Sequence, residues 1–227
     1  MSQDSPLIEC QQLSCTRDSR VLFGGINATL DGGDIVQIEG PNGTGKTTLL
    51  RALTGLFPDY DGAILWRGKD ISQQKYEFLS HLLFIGHLPG IKKSLTPREN
   101  LRFLANLQGE CSDAQIDAAL AEVGLYGYED MPGYQLSAGQ NRRIALARLY
   151  VTNALVWVLD EPYTALDTQG IAKLEALFEQ HAKQGGCVIL TSHQAPKVAG
   201  LRRLSLLDYQ ISAQAPSVTL GDEGGYV

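Results

Sequence analysis

Gly40-Pro41-Asn42-Gly43-Thr44-Gly45-Lys46-Thr47 is the most informative stretch of the chain. It matches G-x-x-x-x-G-K-[ST] at every fixed position, and its flanks suit that motif. On the N-terminal side, Leu30-Asp31-Gly32-Gly33-Asp34 signals a turn, and Ile35-Val36-Gln37-Ile38-Glu39 reads as a short β-branched strand. On the other side, Leu49, Leu50 and Leu53 fall on one helical face. Glycines let backbone N–H groups curl around phosphate oxygens, and the helix N-terminus adds the positive end of its dipole. Gly40, Asn42, Gly43, Thr44, Gly45, Lys46, Thr47 and Thr48 are therefore read as the phosphate cradle of a nucleotide. Lys46 would reach the β- and γ-phosphates, and the Thr47 hydroxyl would ligate Mg²⁺. A fortuitous Gly-rich turn is the competing reading, and the strand before and helix after weigh against it.

Such a site needs a carboxylate for the metal. Ala154-Leu155-Val156-Trp157-Val158-Leu159 is a near-continuous apolar run, which suits a strand buried on both faces of a parallel sheet. It ends in Asp160-Glu161, at the strand end where α/β sheets place their ligands. Asp160 is the second metal candidate beside Thr47, and Glu161 would polarise the attacking water. The alternative is an exposed acidic strand end.

The rest of the chain fits an α/β core with an insertion. Ala63–Trp66 is predicted as a strand bracketed by turns at Asp61-Gly62 and Arg67-Gly68. Leu83–Ile85 reads as a strand running into His87-Leu88-Pro89-Gly90. Three helices are predicted within about 91–151: from Pro97 to about Leu107, from Ser112 to Val123, and from Ala138 to Val151. Ser112 with Gln115 three residues on forms a capping-box pattern. A helix from about Gly170 to Gln184 follows, then strands at Cys187–Leu190 and Arg203–Leu207, then a polar tail from Ala213 expected to be mobile.

With 227 residues, 44% hydrophobic and 19% charged, the composition is globular and suits one large domain. A net charge of −6 and a pI near 5.2 argue against a broad grip on nucleic acid. Cys10, Cys15, Cys111 and Cys187 lie scattered without a Cys-x-x-Cys pair, so reduced thiols are expected rather than a zinc site. The N-terminal stretch lacks the marks of a signal peptide, and no apolar run approaches the roughly 18 residues of a membrane span.

To this point the residues indicate a P-loop nucleotidase. Leu136-Ser137-Ala138-Gly139-Gln140 then resembles the LSGGQ signature of the ATP-binding-cassette (ABC) ATPases, with one Gly→Ala change. Asp160-Glu161-Pro162, Thr164-Ala165-Leu166-Asp167 and Thr191-Ser192-His193 follow in the order of that family. The resemblance covers about 7–207 and implies an α/β P-loop NTPase of the ABC-cassette fold. Its central sheet would be mostly parallel, with an antiparallel β subdomain and an inserted helical lobe. The nucleotide-binding core would comprise about 1–90 and 152–212, the lobe about 91–151, and the tail 213–227. It further implies ATP and Mg²⁺ as cofactors and a head-to-tail homodimer sandwiching two ATPs. Ser137, Gly139 and Gln140 would bind the γ-phosphate held by the opposite subunit, and Asp167 would lie at that interface. Ser137 and Asp167 are equally readable as helix N-caps, which is compatible. His193 would contact the γ-phosphate and joins Lys46 and Glu161 among the catalytic candidates.

Two positions depart from the family pattern. An aromatic that stacks on adenine is usual near residue 17, where this chain reads Ser14-Cys15-Thr16-Arg17-Asp18. Arg17 could stack its planar guanidinium on the base, or be a solvated arginine in a turn. The second is His87. Counting back from Leu95-Thr96-Pro97-Arg98-Glu99-Asn100-Leu101, it falls on the family's glutamine, which bridges Mg²⁺ or the attacking water to the helical lobe. His87 is thus a catalytic and metal-site candidate that couples the ATP site to the lobe, or else a residue that caps the strand. Lys92 and Lys93 would flank the contact with a membrane partner.

Within the family, IGHLPGIKKSLTPRENL and QLSAGQNRRIALARL resemble the CcmA-type ATPases of cytochrome c maturation, also called haem-exporter ATP-binding subunits. That implies partnership with integral membrane subunits, at the cytoplasmic face of a bacterial inner membrane. ATP hydrolysis would release a haem-loaded chaperone. No Cys-Pro or Cys-x-x-Cys-His haem motif occurs, so direct haem binding is not expected. Rival readings are the ATPase of another exporter, of drugs or lipids, a soluble ABC ATPase, and a non-hydrolysing regulatory module.

Overall fold

The computed structural model of the chain describes residues 5–106 and 111–210. Two sheets and a set of helices follow the chain in order. β1 (Ile8–Arg17) and β2 (Arg20–Leu30) form a hairpin whose turn residues Asp18 and Ser19 both have positive φ, 49° and 60°. Two such residues match the right-handed twist of the strands they join. β3 (Ile35–Glu39) leads through the Gly-rich loop into α1 (Lys46–Leu53). β4 (Asp61–Trp66) and β5 (Lys69–Asp70) pair across Arg67-Gly68, and α2 (Lys75–Ser80) precedes β6 (Leu82–Ile85). The helical region holds α3 (Pro97–Ala105), α4 (Asp113–Glu122) and α5 (Ala138–Ala147). β7 (Val156–Asp160), α6 (Thr168–Lys183), β8 (Cys187–Thr191) and β9 (Leu201–Ser205) complete it.

The strands sort into an antiparallel sheet of order β2-β1-β4-β5 and a parallel sheet of order β6-β7-β8-β3-β9. Every residue of β7 and β8 is buried, as expected of central strands covered on both faces. In β7 the pleat sends Val156 and Val158 into the core between the two sheets, with Leu50, Ile38, Trp66 and Phe23. It sends Trp157 and Leu159 to the opposite face, against Leu174 and Phe178 of α6. Each fully buried side chain of this size stabilises the fold by about 1.5–3 kcal/mol. A third cluster, with Leu101, Ile116, Leu120, Leu136 and Ile144, holds α3, α4 and α5 together. α5 serves two clusters, because its Ala145 and Leu146 pack in the core under the sheet.

Several predicted boundaries move, each for a local reason. Asp61 and Gly62 belong to β4 rather than to a turn. Gly62 has φ 93°, and an added Cβ would lie 2.4 Å from the Gln11 carbonyl oxygen. The close crossing with β1 sits at a register shift between Gln11 and Ser14, a bulge that only glycine fits. The predicted strand Arg203–Leu207 is Leu201–Ser205, set by pairing from Ile35↔Leu201 to Glu39↔Ser205, and Leu206–Tyr209 turns into a 3₁₀ helix. The helix predicted to run to Val151 ends at Ala147 and tightens to 3₁₀ over Arg148–Tyr150. The helix predicted from Gly170 starts at Thr168, with Asp167 as its N-cap. α3 is described to Ala105. Leu107 and the tail from Ala213 lie outside the described residues. Cys10, Cys15, Cys111 and Cys187 are all free, and burial pushes the Cys10 and Cys187 thiols up to about 12. Among the described residues, no helix is long and apolar enough to cross a membrane.

Candidate active site

Parallel strands put their C-terminal ends on one side, and here the ends of β3, β6, β7 and β8 converge. The loop from β3 enters α1 through Gly45, whose φ is 101°, with its Cβ position 3.0 Å from Leu22 Cβ. No side chain caps α1, and its first turn has no acid. Its first N–H groups are therefore left for an anion. Thr44 Oγ1 donates to the Pro41 carbonyl at 2.8 Å and braces the loop from behind. Lys46 Nζ donates to the carbonyls of Gly40 (2.6 Å) and Pro41 (3.2 Å), inside the curl that a phosphate would enter.

Asp160 is buried at the end of β7. It accepts from Thr47 Oγ1 at 3.1 Å through one oxygen and from Thr191 Oγ1 at 2.7 Å through the other. A hydroxyl and a carboxylate from two different strand–helix units form an oxygen donor set of the kind Mg²⁺ takes, so the residues fit that ion. Thr191 Oγ1 also accepts the Glu161 N–H at 3.1 Å. That bond helps hold Glu161 at φ 53°, a left-handed conformation that costs energy in a residue with a Cβ. The Glu161 carboxylate accepts the His193 N–H at 3.3 Å, and His193 Nε2 stands 3.6 Å from its other oxygen. From β3, buried Gln37 donates through Nε2 to the carbonyls of Ser192 (3.2 Å) and Gln194 (3.4 Å), so it grips the backbone on both sides of His193.

These groups surround an open cleft of about 380 Å³. Its walls include Asn42, Gly43, Gly45, Lys46, Thr47 and Thr48 from the loop and helix. Across from them stand Arg17, His87, Asp160, Glu161 and His193. Gly40 and Thr44 do not themselves line the cleft. His87 stands two residues beyond the end of β6 rather than on its last residue. Arg17 closes β1, is two-thirds exposed and lies 3.6 Å from the Asp18 carboxylate. Ser137, Gly139, Gln140 and Asp167 do not line the cleft. Ser137 and Gln140 form a capping box at the start of α5, at 3.2 and 2.9 Å, and Asp167 accepts the Gly170 N–H at 2.8 Å. Among the described residues, no cluster of three or more His, Cys, Asp or Glu could hold a metal.

The model of the ABC transporter family matches residues 23–164 of the chain. The chain belongs to the ABC transporter family. It is therefore an ATP-binding cassette and an ATPase. It is 49% identical to the cytochrome c biogenesis ATP-binding export protein CcmA of Hahella chejuensis, over 91% of this chain and 98% of that protein. With the CcmA protein of Yersinia pestis it shares 53% identity, over 83% of this chain and 86% of the relative. Among solved structures, an ATP-binding protein of Pyrococcus furiosus assigned to the ABC transporters superposes with TM-score 0.78 at 26% identity, over 90% and 99% of the two chains. The cbiO1 protein of Clostridium perfringens, part of the ABC transporter complex cbiONQ, gives TM-score 0.66 at 25% identity, over 84% and 80%. The cassette fold expected from the motifs is thus present.

Three contributors to the cassette's site escaped the sequence reading. Gln37 was visible as an amide in an otherwise apolar strand. Thr191 stands in the Thr191-Ser192-His193 motif, which does not mark it as the hydroxyl between Asp160 and Glu161. Arg142 follows the signature in Asn141-Arg142-Arg143, yet its side chain turns inward and is 5% exposed. Burial lowers its pKa, while the charges of Asp160 and Glu161 act in the opposite sense.

Proposed function

We propose that this cassette is the ATP-hydrolysing motor of a membrane complex that serves cytochrome c maturation. The observation that carries the motor reading is the meeting of Lys46, Thr47, Asp160, Glu161 and His193 around one cleft. Lys46 would exchange its loop carbonyls for the β- and γ-phosphate oxygens of ATP. The α1 N–H groups would hold the remaining charge. Thr47 and Asp160 would hold Mg²⁺, which when bound neutralises charge building on the phosphates. Glu161 would orient and polarise the attacking water, and His193 would bind the γ-phosphate from the neighbouring strand end. His87, on the turn after β6, would relay the occupancy of the site to the helical region. Arg17 would stack on the base. Cytochrome c maturation is supported by the relatives called cytochrome c biogenesis ATP-binding export proteins.

The signature residues favour a homodimer. Ser137 and Gly139 open a helix outside their own chain's cleft, so a phosphate bound in that cleft does not reach them, whereas one held by a second copy could. Residues of about 91–151 would tilt as a lobe on the core of about 1–90 and 152–212 when the dimer closes. The lobe exposes Tyr126 and Tyr134, and Leu88 is exposed next to His87, apolar surface suited to an integral membrane subunit. Such docking would make the chain peripheral at the cytoplasmic face of the inner membrane, with no direct contact to haem or nucleic acid. The test is purification of the tagged full chain from its native membranes, with identification of retained integral subunits and assay of holo c-type cytochromes in a strain lacking it. Retention of small multispanning subunits and loss of holo-cytochromes are expected. Normal holo-cytochromes with retention of an unrelated exporter would overturn the assignment.

A further inference from the structure

Arg142 is a buried cation on α5 whose side chain makes no ion pair among the described residues. Instead, its guanidinium is spent on backbone carbonyls. Nη1 donates to the carbonyl of Gly86 and, at 3.3 Å, to that of His87. Nη2 donates to the carbonyls of Asp160 at 2.7 Å and Glu161 at 3.2 Å. The four Nη hydrogens are thereby used in two pairs, one on each strand end, while Nε stays buried without a partner. A planar fork with fixed geometry can hold two peptide groups at a set separation, which a point-charge ammonium cannot.

The two ends so joined are the ones that matter to the proposed reaction. One is the turn that presents His87 to the cleft. The other is the peptide of Glu161, which sits at φ 53° and needs outside contacts to keep it there. Its N–H is held by Thr191, and its carbonyl by Arg142. Arg142 itself rides on the helix that begins at Ser137, and that helix packs into both the helical cluster and the core under the sheet. A second arginine of the same helical segment, Arg148, donates to the Phe84 carbonyl at 3.3 Å, so the helix is fastened along β6 as well as at its end.

We propose that Arg142 is a positioning residue that fixes Glu161 and the His87 turn to the signature helix as one unit. A shift of α5 then carries both strand ends with it, and hydrolysis responds to the position of the lobe without any change in the loop that binds the phosphates. This rests on the hydrolytic roles given above to Glu161 and His87.

The test compares Arg142→Gln, Arg142→Lys and Glu161→Gln in the full chain purified with its membrane subunits. Measured quantities are kcat, KM and the Kd for ATP. Arg142→Gln is expected to lower kcat by about tenfold while leaving the ATP Kd within about twofold, because the phosphate loop makes no contact with it. Arg142→Lys keeps charge and stem but cannot reach both carbonyl pairs. It is expected to lower kcat by at least about threefold, again with the ATP Kd unchanged, and it serves if Arg142→Gln does not fold. A kcat within twofold of wild type in the folded variants overturns the inference, as does a fall in kcat matched by an equal loss of ATP affinity. If Glu161→Gln itself turns over at the wild-type rate, the hydrolytic reading fails first. If Glu161→Gln is inactive and the Arg142 variants are not slowed, the positioning role alone fails.

Discussion

Replacing Thr191 by valine removes one hydroxyl and keeps the shape of the side chain. Thr191 is fully buried in β8, and its Oγ1 does two things. It donates to the Asp160 carboxylate at 2.7 Å and accepts the Glu161 N–H at 3.1 Å. A hydrogen bond to a charged group is worth about 1.5–3 kcal/mol, and an orphaned buried N–H costs about 1–3 kcal/mol. Asp160 keeps its bond from Thr47, and Glu161 can relax from its left-handed conformation, so the lower part of the summed range applies. About 3 kcal/mol is expected, which in a chain of this size lowers the melting temperature by about 6–12 °C. Thr191→Ser keeps the hydroxyl and should lose only about 1 kcal/mol for the missing methyl. Urea unfolding and thermal melts of the two variants supply the comparison. ATP turnover of Thr191→Val, measured well below its melting point, should fall by about tenfold as the Glu161 peptide loses its anchor. A Thr191→Val protein within about 0.5 kcal/mol of wild type would refute the view that this hydroxyl holds the two acids in place.

Other perturbations probe other parts of the site. His87→Gln should largely keep ATPase activity, while His87→Ala should slow or uncouple it. Wild-type behaviour of the alanine variant in turnover and in complementation would reduce His87 to a turn residue. Arg17→Ala should weaken ATP binding by about two- to fivefold if the guanidinium stacks on the base, and an unchanged Kd in calorimetry sinks the stacking role. His181 stacks on Trp157 with ring centres 3.7 Å apart, and burial holds its pKa below the usual 6.5. As pH falls through 6.5, the unfolded chain takes up a proton that the folded ring resists, so stability is lost on the acid side. Melting curves at descending pH should therefore fall more steeply for wild type than for His181→Phe, and parallel curves would exclude His181 as the cause.

What could be read in advance follows from how local each signal is. The phosphate loop was legible because its glycines, lysine and threonine act within one turn, so spacing alone implies geometry. β7 was legible because burial on both faces leaves an unbroken apolar run before the acids. β9 was misplaced by two residues because it pairs on one side only, with β3. There its exposed Arg202 and Arg203 carry no strand signal, and register with β3 sets its ends. The bulge at Gly62 reads as a turn from sequence because a positive-φ glycine suits both until the neighbouring strand is known. Thr191, Gln37 and Arg142 stayed hidden for one shared reason. Each contributes by reaching a backbone group far along the chain, across 30 residues from Thr191 to Glu161 and 155 from Gln37 to Ser192. The cleft needs their hydrogen bonds, but no spacing rule records them. The signature was recognisable as a motif, while its place outside its own chain's cleft is a tertiary fact.

The central claim is that Glu161 activates water in a cleft built by Lys46, Thr47, Asp160 and His193. Its most direct measurement is steady-state ATP hydrolysis and ATP-induced dimerisation of Glu161→Gln, in the full chain with its membrane subunits. Loss of turnover by at least about a hundredfold is expected, with ATP still bound and a stable ATP-loaded dimer trapped. Turnover near the wild-type rate, or complete loss of hydrolysis together with loss of ATP binding, would contradict it.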